Sequence, residues 1–316
     1  MAILKARLGG APWLWSFLGA AAAWGATLIA AHGQGGGQIL TAAFTFSAFT
    51  VLVSLGQMLV ITTGPGNVDL SIPSVIALSG AVAMLTMNER PEMMLPGLVA
   101  AIAAGAAVGI ANYGLIRLLR IPPIIATLSS SLVVTSIAIT VGRGLTVKPP
   151  QLFADLVSFR FAGIPLLAVV ALAAAVVVAL TLERTVYGRS VSAIGQSRRV
   201  AQLAGLSVER TRLLTYLISG ALAGLTGALI AGFSGGNALD QGQEYLLLTI
   251  AVVVIGGTAV SGGRASVPGV WGAALFMFLI VTMLNAAGTA PGLRTLLTGL
   301  IIIAVIAIGG GEKLRP

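Results

Sequence analysis

The sequence contains no cysteine and only one histidine, His32. Without cysteine, disulfide bonds and thiolate metal sites are excluded, and the redox compartment is left undetermined. One histidine is too few for a histidine-based metal cluster. No metal ion and no cofactor are therefore expected.

Charged residues are also scarce, at 9% of the 316 residues, against roughly 25% in soluble domains. Hydrophobic residues make up 57%, and there are 41 glycines. So little polar surface could not cover a soluble globule, and so much apolar surface excludes intrinsic disorder. The composition predicts a single all-α polytopic membrane domain over residues 1–316.

Ten apolar segments approach the roughly 20 residues that a helix needs to cross the hydrocarbon core. They are about Pro12–Ala31, Ala43–Thr63, Ser71–Met87, Met94–Ile116, Ile124–Val141, Phe161–Leu182, Leu213–Phe233, Tyr245–Ser261, Pro268–Ala286 and Pro291–Ile308. The third and eighth are short and could be tilted, broken or partly re-entrant. The first could be a signal peptide, because Lys5 and Arg7 precede it, but its three tryptophans favour a membrane helix with interfacial anchors.

Ten spans place both termini on one side of the membrane. If that side is the cytoplasm, 13 of the 18 basic residues lie inside, among them Lys5, Arg7, Lys313 and Arg315. This asymmetry follows the positive-inside rule and predicts cytoplasmic termini. The net charge of +9 therefore reflects loop topology, and no nucleic-acid partner is expected.

The chain shows no energy source of its own. None of its nine acidic residues lies in the middle of a predicted span, and Asp69 comes closest. This pattern argues against ion-coupled transport. A P-loop needs a lysine directly after a glycine, whereas Lys5, Lys148 and Lys313 follow Leu, Val and Glu. If transport is driven, the motor must be another subunit.

The longest predicted cytoplasmic segment, residues 183–212, is where such a motor would dock. Ser197 is expected to cap a short helix that runs through Ala204 and ends at Gly205. Ser207 is expected to cap the next helix, with Glu209 in its first turn. The candidate coupling residues are Arg198, Arg199, Gln202, Leu203, Gly205 and Leu206. The alternative is an interfacial loop that only carries positive-inside charges.

Uncharged polar residues inside the spans suggest a path for a polar solute. Gly64 and Gly66 interrupt the second helix, and Asn67 and Asp69 can bond the freed backbone groups. The candidate pathway residues are Gln57, Asn67, Asp69, Asn112, Thr127 and Ser130. Each could instead make an interhelical hydrogen bond. Gly105-x-x-x-Gly109 and Gly220-x-x-x-Gly224 are interpreted as helix-packing sites.

Three segments, residues 58–83, 187–229 and 253–275, carry a family resemblance. They read MLVITTGPGNVDLSIPSVIALSGAVA, YGRSVSAIGQSRRVAQLAGLSVERTRLLTYLISGALAGLTGAL and VVIGGTAVSGGRASVPGVWGAAL. The sequence resembles the permease subunits of bacterial ABC importers for monosaccharides, of the ribose, galactose and arabinose type. It departs from that pattern at Pro65 and Pro73, which stiffen the first motif, and at Ala265, where the family has glycine.

The resemblance implies an inner-membrane permease that imports a monosaccharide or related polyol. Its expected partners are a second permease chain in a homo- or heterodimer, cytoplasmic ABC ATPases, a periplasmic substrate-binding protein and membrane lipid. Residues 142–160 and 235–243 would meet the binding protein. No catalytic residues are expected. The alternatives are a permease for branched-chain amino acids, a ten-span secondary transporter of the drug/metabolite type and a non-transporting scaffold.

Overall fold

The computed structural model describes residues 13–144 and 147–309. Pro12, the first residue of the first predicted span, lies outside these residues. So do Lys5, Arg7, Lys313 and Arg315, which contribute to the predicted charge asymmetry.

The described chain is almost entirely helical. Its α-helices in order are α1 (Trp13–Ala30), α2 (Gly36–Thr62), α3 (Ile72–Met87), α4 (Met94–Leu118), α5 (Pro123–Gly142), α6 (Gln151–Ser158), α7 (Leu166–Arg184), α8 (Val186–Gln196), α9 (Arg198–Leu203), α10 (Val208–Ser234), α11 (Tyr245–Ile255), α12 (Val267–Ala286) and α13 (Pro291–Gly309). A 3₁₀ turn, Pro91–Met93, precedes α4. Two short antiparallel strands, β1 (Arg160–Phe161) and β2 (Ile164–Pro165), precede α7, with Arg160 opposite Pro165.

Each of the ten predicted segments coincides with a helix, which supports an all-α polytopic membrane protein. Seven helices in the described residues are long and apolar enough to cross a membrane. At 1.5 Å per residue, the 16-residue α3 and the 11-residue α11 are shorter than the hydrocarbon core of about 30 Å. The number of complete crossings therefore stays a prediction.

Two predicted boundaries are wrong. Phe161 does not begin a span, because it pairs with Ile164 across a turn in which Ala162 and Gly163 both have positive φ. The eighth segment does not extend to Ser261, because α11 ends at Ile255 and a glycine-rich loop follows. Positive φ at Gly257, which an ordinary side chain would resist, takes the chain out of the helix.

The segment 142–160, expected as an external contact surface, contains a helix that periodicity did not predict. This is α6, which turns Phe153 and Val157 inward and leaves the rest of its length mostly exposed. Its aromatic ring at Phe153 packs against Gly232 near the end of α10.

The centre of the bundle is formed by α2, α3, α10 and α12. Every residue of α2 from Ser47 to Thr62 is buried, which explains why that sequence is apolar all round. Helices α5 and α7 instead expose Leu, Ile and Val side chains, among them Leu132 and Val177. Such faces are typical of contact with lipid or with another membrane chain.

The two glycine motifs are confirmed as packing sites, and they pack on each other. A Cβ at Gly105 would overlap the carbonyl oxygen of Gly220, and one at Gly109 would overlap that of Tyr216. A Cβ at Gly224 would overlap the carbonyl oxygen of Ala101. Backbones of α4 and α10 thus touch over two helical turns, as small-residue motifs allow in membranes.

Candidate functional site

The link between α2 and α3 is a polar turn (residues 64–71) that buries the side chains of Asn67, Asp69 and Ser71 and exposes Pro65 and Gly66. Gly64 and Gly66 have φ of 125° and 74°, which favour glycine. Asn67 Nδ2 donates to Gly64 O at 3.0 Å, and Asp69 Oδ1 accepts from Ser71 N at 3.0 Å. The expectation that Asn67 and Asp69 bond the freed backbone groups is confirmed.

The Asp69 carboxylate is the centre of a hydrogen-bond network. Its Oδ1 accepts from Ser71 Oγ at 2.6 Å, and its Oδ2 accepts from Ser219 Oγ of α10 at 3.2 Å. Asp69 N donates to Gln57 Oε1 of α2 at 3.2 Å. Asn112 Nδ2 of α4 donates to Ser71 Oγ at 2.8 Å. All five residues are buried, and the network joins α2, α4 and α10 to the polar turn.

Helix α5 is the fourth helix that contacts the turn. Thr127 Oγ1 accepts from Leu70 N at 3.1 Å and lies 2.9 Å from Pro123 O, to which it donates. Ser130 lies three residues further along the same helix and is 7% exposed. Of the six candidate pathway residues, the structure brings Gln57, Asn67, Asp69, Asn112 and Thr127 together, while Ser130 flanks them.

Three buried polar atoms on the walls of this region make no hydrogen bond to the described residues. They are Gln57 Nε2, Asn112 Oδ1 and the Tyr216 hydroxyl. A buried polar group without a partner costs roughly 1–3 kcal/mol. The region therefore has hydrogen-bonding capacity, both donor and acceptor, beyond what the turn uses.

One polar face of α10 was missed in the sequence. Glu209, Arg212, Tyr216 and Ser219 follow one another at spacings of three and four residues, which places them on one side of a helix. That spacing was a usable signal. The predicted span begins at Leu213, which leaves Arg212 as a loop charge, so the prediction did not include this face. The structure buries Arg212, at 7% exposed, and its Nη2 donates to Asn67 Oδ1 at 2.8 Å.

Glu209 organises a cluster of polar side chains, the Glu209 cluster (Tyr113, Arg117, Arg198 and Glu209). Its carboxylate lies 2.9 Å from Arg198 Nη2 of α9 and 3.3 Å from Arg117 Nε of α4. The Tyr113 hydroxyl donates to Glu209 Oε2 at 2.6 Å. One carboxylate thus joins α4, α9 and α10 at the end of the bundle where the long predicted cytoplasmic segment lies.

The short helix expected after Ser197 is present as α9. Ser197 Oγ accepts from Val200 N at 3.3 Å, and Gly205 has a φ of 79°, so the cap and the helix end are confirmed. Ser207 precedes α10 as expected but makes no side-chain cap bond. Its carbonyl accepts from Thr211 N and Oγ1 instead, each at 3.0 Å.

The candidate coupling residues lie around α9 in two groups. Arg198 bonds Glu209, and Leu206 packs against a small apolar cluster that includes Ala201. The others face outward and are exposed: Arg199, Gln202, Leu203 and Gly205. Val200 and Leu203 are 63% and 82% exposed, so α9 presents an apolar surface with no partner in the described chain.

Helix α8, which precedes α9, was not expected. Thr185 caps it by accepting from Gly188 N at 3.1 Å, and the Tyr187 hydroxyl lies 2.9 Å from Thr215 Oγ1 of α10. Burial raises the pKa of Tyr187 to about 12. The phenol therefore stays neutral at ordinary pH and ties α8 to α10 by a hydrogen bond.

The three motif segments meet at one place. A Cβ at Gly195, in α8, would overlap Thr62 O and Gly263 N. Gly263 N donates to Thr62 O at 2.9 Å, and a Cβ at Gly262 would overlap Gly64. The backbones of the polar turn, α8 and the loop before α12 are thus in direct contact.

The chain matches the model of a family described as branched-chain amino acid transport system / permease component, over residues 38–306. It is 31% identical over 266 residues to the autoinducer 2 import system permease protein LsrD of Photorhabdus laumondii, covering 81% of this chain and 78% of that protein. It is 29% identical over 273 residues to LsrD of Salmonella typhi, covering 83% and 81%. It is also 29% identical over 267 residues to the probable ABC transporter permease protein y4mJ of Sinorhizobium fredii, covering 84% and 79%. No solved structure matches the chain significantly.

Proposed function

This chain belongs to the branched-chain amino acid transport system / permease component family, and we propose that its solute is a monosaccharide, a related polyol or autoinducer 2. It is an ABC permease of the sugar-import type in the bacterial inner membrane, and its relatives are transport permeases, not enzymes. The observation that carries the solute proposal is the similarity to autoinducer 2 import permeases over about four fifths of both chains.

The interior chemistry supports the same solute class. The groups bonded to the Asp69 carboxylate are hydroxyls and a backbone amide, and amide side chains surround them. Neutral groups of this kind suit the hydroxyls of a polyol. We propose that Gln57, Asn67, Asp69, Asn112, Thr127 and Ser130 border the solute path. Most of them bond the polar turn, so they would meet the solute when that turn rearranges.

The partners belong to the same proposal. Two permease chains, identical or different, enclose the path, and cytoplasmic ATPases dock on the exposed apolar surface of α9. A periplasmic binding protein meets residues 142–160 and 235–243. In this arrangement both termini are cytoplasmic, all ten apolar segments are embedded in the membrane, and residues 183–212 form the coupling segment of one permease domain.

Uptake by cells provides the test. A strain that lacks this chain should take up less labelled ribose, galactose or arabinose, or remove less autoinducer 2 from the medium, and the intact gene should restore that activity. ATPase subunits should purify with the tagged chain. The combined change Gly205→Arg and Arg198→Glu should allow insertion but abolish uptake, because a side chain at Gly205 opposes its positive φ. Transport unchanged by that variant would remove α9 from the docking site.

Two other outcomes would redirect the proposal. A deletion that affects only leucine, isoleucine and valine uptake would favour the branched-chain amino acid solute that the family description names. Uptake by the purified chain in proteoliposomes, driven by a proton gradient without any ATPase, would show a secondary transporter.

A further inference from the structure

Arg212 is a buried cation whose contacts are unusual. It is 7% exposed, and its Nη2 donates to Asn67 Oδ1 at 2.8 Å. Its guanidinium carbon lies 5.7 Å from the centre of the Tyr113 ring, within the range of a cation–π contact. Its Nε has no hydrogen-bond partner among the described residues. Burying a guanidinium in this way costs several kcal/mol that these contacts only partly offset.

The two partners of Arg212 lie on either side of it in a line of contacts. Asn67 belongs to the polar turn, and its Nδ2 also holds Gly64 O at 3.0 Å. Tyr113 donates its hydroxyl to Glu209 Oε2 at 2.6 Å. Glu209 in turn bonds Arg198 of α9 at 2.9 Å. Side-chain contacts therefore run without a gap from the exposed helix α9 to the turn beside Asp69.

Apart from this line of contacts, little of helix α9 is buried. Of its six residues only Ala201 is buried, and it packs with Ile194 and Val208. By contrast, the end of α8 is fixed, since Gly195 leaves no room between Thr62 and Gly263. A force that displaces α9 would thus act on the Arg198–Glu209 pair before it moved α8.

We propose that Glu209 and Arg212 are positioning residues that make the conformation of the polar turn depend on the position of α9. This inference rests on the proposed function, in which ATPases push on α9. Displacement of α9 moves the Glu209 side chain together with Arg198, and the hydroxyl of Tyr113 that is bonded to Glu209 then shifts the ring under Arg212. The guanidinium of Arg212 then loses its hydrogen bond to Asn67, and the polar turn can open.

The absence of cysteine makes a direct measurement possible. Pro65 in the polar turn is exposed, so Pro65→Cys introduces one reporter thiol. The complex that purifies with the tagged chain is placed in lipid nanodiscs. The rate of thiol modification by a water-soluble maleimide is then compared without nucleotide and after trapping with ATP and vanadate. A coupled turn should change the rate by roughly fivefold or more, the lower end of typical coupling free energies.

Arg212→Met and Glu209→Gln, each combined with the reporter, should abolish the nucleotide effect while the ATPases still bind. Arg210→Met is the matched control, because Arg210 lies on the same helix but is exposed, and it should keep the effect. Glu209→Gln changes only an accessible side chain, so it decides the question if Arg212→Met fails to fold. Arg212→Lys should restore part of the effect by keeping a cation near Asn67.

The possible results separate the two proposals. A nucleotide effect that persists in Glu209→Gln and Arg212→Met, or that is lost equally in Arg210→Met, would overturn the positioning role. The same holds if ATPases are present but nucleotide never alters the reporter. If no ATPase purifies with the unmodified chain, the proposed function itself is wrong.

Discussion

The two halves of α10 meet their neighbours in different ways. In the half toward Ser234, here called the outer half, Gly220, Gly224 and Gly227 bring the helix backbone against the backbones of α4 and α3. In the half toward Val208, here called the inner half, Glu209 and Arg212 reach their partners through side chains. Close backbone contact extends only as far as Tyr216, against Gly109, and the nearby Ser219 also bonds Asp69 through its side chain. The same helix is therefore held in the bundle by close backbone packing at one end and mainly by polar side-chain contacts at the other.

The difference has a physical consequence for motion. Packed backbones tolerate almost no displacement, because close-packed interiors have few alternative arrangements. Side-chain hydrogen bonds and ion pairs can exchange partners at a cost near that of a single bond, about 1 kcal/mol. The outer half is expected to carry stability, and the inner half to carry conformational change. Three substitutions test this division.

The largest effect is expected where backbones touch. Gly105→Ala should destabilise the protein by about 3 kcal/mol, the upper end of overpacking costs, because the new Cβ overlaps Gly220 O. Gly114→Ala is the control on the same helix, where a Cβ meets nothing within 4 Å. It should be neutral or stabilise by up to about 1 kcal/mol, since alanine favours helix. Thermal unfolding in detergent measures the stability of both variants. Equal unfolding midpoints would contradict the role assigned to the close backbone packing.

These glycine contacts were predictable from sequence because their spacing reports their geometry. Gly105 and Gly109 lie one turn apart on one helix, as do Gly220 and Gly224 on another, and close approach needs that spacing. The cap at Ser197 was predictable for a similar reason, since a cap depends on neighbours in the chain. Local and periodic features could therefore be predicted from the sequence alone.

Contacts between segments that lie far apart in the sequence could not be predicted. Ser219 bonds Asp69 across 150 residues, and no local pattern names that partner. Helix α8 contains Gly188 and Gly195, which disfavour a helix in the sequence alone. The structure shows that each glycine admits another backbone, that of Leu182 and that of Gly263. The candidate pathway residues could be identified as polar and interior, but their meeting around the polar turn depends on tertiary packing.

An intermediate effect is expected at the inner side-chain contacts. Asp69→Ala should cost about 2 kcal/mol, because it leaves Ser71 N, Ser71 Oγ and Ser219 Oγ without their acceptor. Asp69→Asn keeps an acceptor for Ser71 and should cost less than half as much. Asp155→Ala on the exposed face of α6 is the control and should stay within about 0.5 kcal/mol. If Asp69→Asn leaves both unfolding and uptake unchanged, the carboxylate charge has no part in the solute path.

The smallest effect on stability is expected at the Glu209 cluster. The Arg117 side chain is 61% exposed and lies 3.3 Å from Glu209, so solvent screens the pair and Arg117→Gln should cost less than about 1 kcal/mol. Because roughly 1 M salt shortens the screening length to about 3 Å, the difference from the unmodified protein should shrink further in that buffer. Arg199→Gln, at an exposed arginine on α9, provides the reference. A loss as large as that of Asp69→Ala would mean that the cluster holds the fold together, and the division between a rigid outer and an adjustable inner half of α10 would fail.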